Sequence, residues 1–298
     1  MRELKWLTPL KVLGMLFCLD CTHPGKTHGQ ASSPVAESAN GQMLLNRAVS
    51  AFQKGDSTNA IKLATEAIAA DPRNTSGFAL RGSIHEQLRE HVRAIADYDE
   101  VLKRDPKAAS IYQRRGAEHF RLGQFNQAVA DFDRVIELNP VSAPQHWQRG
   151  IALYYAGQFD KGRRQFELHQ TVNPNDVENA AWHFLCVARL SGVEKARASL
   201  IPIEGDARVP MKQIHELFAG KSTPESVLGA ARAGSPSSAT LNNQLFYAHL
   251  YLGLYFEATG DAKKTREHIL KSARDFKSDH YMGDVARAHA RLLEKNEK

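Results

Sequence analysis

Residues 105–140 read DPKAASIYQRRGAEHFRLGQFNQAVADFDRVIELNP, a stretch that opens on Asp105-Pro106 and closes on Asn139-Pro140. Two amphipathic helical patterns lie between these marks, and Gly123 separates them where a left-handed residue ends the first helix. The proline then ends the second helix, because it cannot donate to the preceding turn. The same punctuation stands at Asp71-Pro72 and Asn173-Pro174, so four prolines recur at a spacing of 34. Such a period marks stacked helical hairpins.

With that proline at position 32 of each unit, the chain divides into repeats at 41–74, 75–108, 109–142 and 143–176. Position 8 is Ala48, Gly82, Gly116 and Gly150, and position 20 is Ala60, Ala94, Ala128 and Gly162. Small residues are needed at both, since the two helices of a unit cross there. Position 24 supplies bulk on the second helix through Ala64, Tyr98, Phe132 and Phe166, while Gly55, Gly123 and Gly157 mark the turns. These features specify the tetratricopeptide repeat (TPR). The expected fold is all-α, a TPR solenoid with a right-handed superhelical twist, about five TPR or TPR-like units and a C-terminal capping helix.

Past residue 176 the strict period fades and the helical patterning continues, giving a degenerate region over 177–298. VENAAWHFLCVARL, residues 177–190, reads as one helix, and Pro210 to Ala219 as another. Thr223-Pro224 is an N-cap followed by proline at the first helical position, and Gly234 with the SPSS run closes that helix. A fifth TPR-like unit falls at 246–279, with Gly253 at its small position and Gly260 at its turn. Tyr281 to Leu293 reads as a closing helix over the exposed end of the core.

The 298 residues are 42% apolar and 24% charged, which suits a globular chain with a substantial core. Lysines and arginines alternate with acids, so the net charge of +6 describes a solvated surface rather than a nucleic-acid stripe. At the N-terminus Arg2, Lys5 and Lys11 precede the apolar run Val12–Leu19, the pattern of an export signal over residues 1–21 and too short to span a bilayer. Cys18 and Cys21 are candidate lipidation positions, although Phe17 and Asp20 precede them where such a signal wants small residues. Membrane association is expected only through this segment or its lipid. Residues 22–40, rich in Ser, Pro, Gly and Ala, read as a flexible linker. Cys186, in an apolar run, reads as a core thiol.

Stacked TPR units curve so that first helices line a concave groove. In this register the lining includes Phe52, Glu86, Gln87, Gln113, Phe120, Arg121, Trp147, Tyr154 and Tyr155, a set of aromatic and hydrogen-bonding groups suited to a peptide or a partner helix. Phe52, Phe120 and Trp147 are equally suited to packing between adjacent units. Position 9 carries Val49, Ser83, Ala117 and Ile151, which argues against a clamp of lysine and asparagine. Arg47, Arg81, Arg115 and Arg149 form a ladder at position 7, for which Asp97 and Asp131 at position 23 are the expected partners. His85 and His119 share position 11 and are expected to pack rather than bind zinc. Nucleophile-elbow, HExxH and Walker patterns are all missing, so neither an enzyme nor a cofactor site is expected.

HWQRGIALYYAGQFDKGRRQF, NPNDVENAAWHFL and LFYAHLYLGLYFEATGD resemble, in order and spacing, stretches of the NlpI-type envelope lipoproteins. The resemblance runs from about 75 to 273. It implies an exported, homodimeric adaptor, periplasmic or membrane-associated, that brings an envelope protease and peptidoglycan hydrolases together. The absent lipid-attachment motif is the departure from that family. A cytosolic TPR scaffold for an unrelated protein partner is the alternative.

Overall fold

The computed structural model describes residues 34–276 and 278–295. Residues 1–21, read as an export signal, with Cys18 and Cys21, lie outside the described residues, as does the expected linker up to residue 33. Four helical hairpins follow one another: α1 (Pro34–Gln53) with α2 (Ser57–Ala70), α3 (Thr75–Gln87) with α4 (His91–Arg104), α5 (Ala109–Arg121) with α6 (Phe125–Leu138), and α7 (Trp147–Tyr155) with α8 (Phe159–Gln170). They match the four sequence repeats. A short 3-10 turn, Pro140–Gln145, leads into α7. Helix α1 starts earlier than the repeat pattern, so residues 34–40, read as linker, are helical. Pro34 is tolerated there because the first turn needs no donor at its start.

The small positions are used in one way throughout. A Cβ at Gly82 would meet the Tyr98 ring at 2.8 Å, one at Gly116 the Phe132 ring at 2.8 Å, and one at Gly150 the Phe166 ring at 2.7 Å. Each ring of position 24 therefore lies against the glycine of its own unit. Between hairpin helices Gly55, Gly123 and Gly157 adopt positive φ, and Arg89 takes the same place in the second unit at φ +60°.

The atypical half contains α9 (Val177–Ser191), α10 (Val193–Ala198), α11 (Met211–Phe218), α12 (Pro224–Arg232), α13 (Ser238–Thr259), α14 (Ala262–Arg274) and α15 (Tyr281–Lys295). Helix α9 is buried over most of its length and packs on α8, α10, α11 and α13. Its uniform apolarity follows from having neighbours on every side. The irregular stretch before α11 is tied down by Arg208, which reaches Asp176 at 2.7 Å and Glu178 at 2.6 Å. Thr223 caps α12 by accepting from the Ser226 amide. The α13/α14 hairpin repeats the TPR crossing, since a Cβ at Gly253 would meet Ile269 at 2.7 Å. Gly260 ends α13 in the left-handed region.

Helix α15 does more than close the stack. One face packs on α14, and the helix also folds back against α5. A single apolar cluster consequently runs from Phe120 in the third repeat through Trp182 to Val285 and Ala290 on α15.

Candidate functional site

The nine residues expected along a groove all lie on the first helices α1, α3, α5 and α7 of the four hairpins, and their surroundings differ. Phe52 packs beside the apolar core of the first unit, Gln87 is exposed, and Gln113 donates to Gln148 at 2.5 Å. Phe120, Arg121, Trp147, Tyr154 and Tyr155 instead lie beneath or beside the C-terminal helices. Tyr281 of α15 places its ring 5.2 Å from Phe120 and 5.2 Å from Trp147, edge-on to the indole. The Tyr155 hydroxyl meets His289 Nδ1 at 3.0 Å, and the Tyr154 hydroxyl donates to Glu257 at 3.1 Å. Burial raises the Tyr155 phenol far above its ordinary value and lowers the His289 imidazole, so both are neutral.

A charged network accompanies these rings. Asp284 of α15, 3% exposed, accepts from Arg89 at 2.5 Å, from Arg121 at 2.7 Å and from Arg287 at 2.7 Å. Burial alone would raise its carboxyl, but the Arg121 field, with hydrogen bonds from Arg121 and Arg287, holds it below the usual carboxylate range. Arg121 also reaches Glu118, a fully buried carboxylate whose other oxygen meets His91 Nδ1 at 2.6 Å. Glu86, the remaining groove residue, accepts from Tyr98 at 2.7 Å and from Arg114 at 2.9 Å. Burial opposes its ionisation, and Arg114 with its neighbours outweighs that effect, so its carboxyl too lies low. Units two and three thus carry arginines paired with the half-buried Glu86, the buried Glu118 and the buried Asp284 of α15.

The arginine ladder is structural. Arg81 forks onto Asp97, Arg115 onto Asp131, and Arg149 donates to Gln165, each sixteen residues ahead. The same side chains reach sixteen residues back, to Thr65, Asp99 and Asp133. Each guanidinium therefore bolts its own unit to the one before. Arg47, in the first unit, is exposed. His85 and His119 bond Glu90 and Gln124 at 2.5 and 2.6 Å, fixing the turn five residues on. Among the described residues no group of three or more metal-ligating side chains comes together, and no helix is long and apolar enough to cross a membrane.

Sequence reasoning missed the groove contribution of α15. Its signal was the stripe Tyr281, Asp284, Ala288 and Arg291, which puts an acid and an aromatic on one helical face. Arg89 carried a second signal, standing where the other three repeats have glycine.

Family models of the tetratricopeptide repeat match residues 41–109 and 109–140. Residues 41–140 are TPR units, and the fold is a TPR solenoid. A crystal structure of a tetratricopeptide repeat protein from Parabacteroides merdae is similar over 86% of this chain and 99% of that one, at 16% identity and TM-score 0.56. MamA, from residue 41 to its end, of Desulfovibrio magneticus RS-1 is similar over 53% of this chain and 90% of its own, at 18% identity and TM-score 0.48. The first TPR of Spaghetti (RPAP3) bound to the HSP90 peptide SRMEEVD is similar over 35% and 82%, at 29% identity and TM-score 0.33. No curated protein matches the chain.

Proposed function

We propose that this chain is a non-catalytic adaptor of the cell envelope that binds protein partners on its concave face. TPR stacks are protein-interaction scaffolds, because each unit adds one helix to an extended curved surface. The observation that carries the reading is the inner surface itself. It presents Gln87 and the polar pair Gln113 and Gln148 beside arginines held in fixed positions by buried acids, so a partner meets pre-ordered donors and acceptors. The envelope assignment rests on the basic residues and apolar run at the N-terminus and on the resemblance to the NlpI-type adaptors. On that reading the partners are an envelope protease or peptidoglycan hydrolases, and the chain works as a homodimer, tethered by its N-terminal segment or a lipid on Cys18 or Cys21.

Two measurements test it. Cell fractionation with mass analysis of the mature N-terminus separates export from the cytosol, and an unprocessed cytosolic chain contradicts the envelope assignment. Capture of envelope proteins by the full chain is then compared with Gln87→Trp, which fills the groove without touching the core. Loss of a protease or hydrolase with Gln87→Trp supports the concave site. Equal capture moves binding elsewhere.

A further inference from the structure

The ring contacts of Tyr281 and the ion pairs of Asp284 on α15 share one interface with the repeats. We propose that α15 is an internal ligand of the concave face, and that the partner class this face takes is a helix carrying an aromatic residue followed three positions later by a carboxylate. The proposal deepens the adaptor reading and rests on its choice of face.

Three observations carry it. Tyr281 and Asp284 stand three apart on one face of α15, and they engage three successive repeats in the manner of helix-in-groove recognition, with the aromatic ring between Phe120 and Trp147 and the carboxylate between Arg89 and Arg121. The seat on the repeats is charged: Arg89 projects from the turn after α3 and Arg121 from the end of α5, and both reach the Asp284 carboxylate, so an acidic side chain suits it. The fit is also imperfect. Among the described residues, buried polar atoms without a partner include Tyr281 Oη, Arg287 Nε and Ser278 Oγ, all on α15 or just before it. Of these, Tyr281 belongs to the side chain seated between the repeats, where a buried hydroxyl without a partner weakens the seat. A helix from a partner that supplies the same aromatic and acid while satisfying or exposing that hydroxyl binds the same seat without this defect. Occupancy by α15 then lowers apparent affinity for such a partner in proportion to the fraction of time the seat is filled.

The test uses the full chain and a fluorescein-labelled synthetic peptide of residues 278–295, read by anisotropy. Wild type, with its own helix seated, is expected to bind the peptide weakly. Asp284→Asn, which loosens the resident helix and leaves the arginines in place, is expected to bind it at least about tenfold more tightly, since the competent fraction rises. A peptide bearing the same Asp284→Asn change is expected to lose that gain. Tyr281→Ala in the chain serves as the second variant should Asp284→Asn lose its cooperative thermal transition. Equal binding by wild type and a folded variant, or equal binding by the two peptides, overturns the proposal and makes α15 a fixed part of the core. Because the probe is the chain's own helix, failure here leaves the adaptor reading standing, while loss of all partner capture leaves peptide exchange untouched.

Discussion

The Arg121 guanidinium holds the Asp284 carboxylate at 2.7 Å across 163 positions of sequence. That bond joins the end of the third repeat's first helix to α15, so the periodic half and the atypical half are tied by a direct ion pair. Arg121 also neutralises Glu118, which is fully buried. Replacing Arg121 with Ala leaves Asp284 to Arg89 and Arg287 and leaves the buried Glu118 with His91 alone, and is expected to cost about 3 kcal/mol. Arg149→Ala breaks a pair whose Asp133 is 38% exposed and is expected to cost about 1 kcal/mol or less. Chemical denaturation of the two variants checks the contrast, and equal losses would show that the ladder and the network carry similar weight.

Crossing glycines give the second expectation. A methyl at Gly82, Gly116 or Gly150 enters space held by the Tyr98, Phe132 or Phe166 ring, so each substitution to Ala is expected to destabilise by about 1–3 kcal/mol. Gly229 lies within α12, where an added methyl would meet nothing within 4 Å, and Gly229→Ala is expected to stabilise by about 0.5–1 kcal/mol. Melting temperatures that move in opposite directions bear this out.

Arg89 is the third case. It holds a left-handed backbone that glycine adopts freely, while its side chain pairs with Asp284. Both Arg89→Gly and Arg89→Ala lose the ion pair, but only Ala keeps the backbone strain. Arg89→Gly is expected to be more stable than Arg89→Ala by about 1 kcal/mol, and the reverse order would mean the turn carries no strain.

Acid sensitivity follows from buried imidazoles. Burial lowers His146 and His249 to about 4 and also lowers His183, His268 and His289. These five are neutral in the folded chain and take up protons near pH 6.5 once unfolded. The unfolded state thus binds more protons, and stability is full above pH 6.5 and falls as pH descends towards 4. Each site contributes a slope of up to about 1.4 kcal/mol per pH unit. Denaturant midpoints at pH 7.5 and 5.5 should differ markedly, and His249→Phe should reduce the difference. A flat profile contradicts the neutral assignment.

How much of this was legible in the sequence divides along physical lines. Local features were readable: the proline period placed the hairpins, the small residues placed the crossings, and the ladder's acids at position 23 identified the partners of Arg81 and Arg115. Thr223-Pro224 marked a helix start for stereochemical reasons that need no tertiary context. The seat of α15 was not readable from residues 281–293 alone, because the stripe of Tyr281, Asp284, Ala288 and Arg291 marks a face but does not say whether the helix covers the end of a stack or turns back against its first helices. That choice depends on Arg89, Arg121, Phe120 and Trp147, more than a hundred residues away. The early start of α1 was hidden by a composition that suits both a tether and a first helical turn.

Everything functional here turns on whether a protein partner binds the concave face. A photo-crosslinking side chain is placed in the full chain at Gln87, on the inner curve, and separately at Lys103, on an exposed second helix, and irradiated in intact cells. Binding on the inner curve gives a protein adduct from position 87 that Gln53→Trp on the neighbouring first helix suppresses, and none of the same mass from position 103. An adduct formed at 103 and absent at 87 would rule the concave face out.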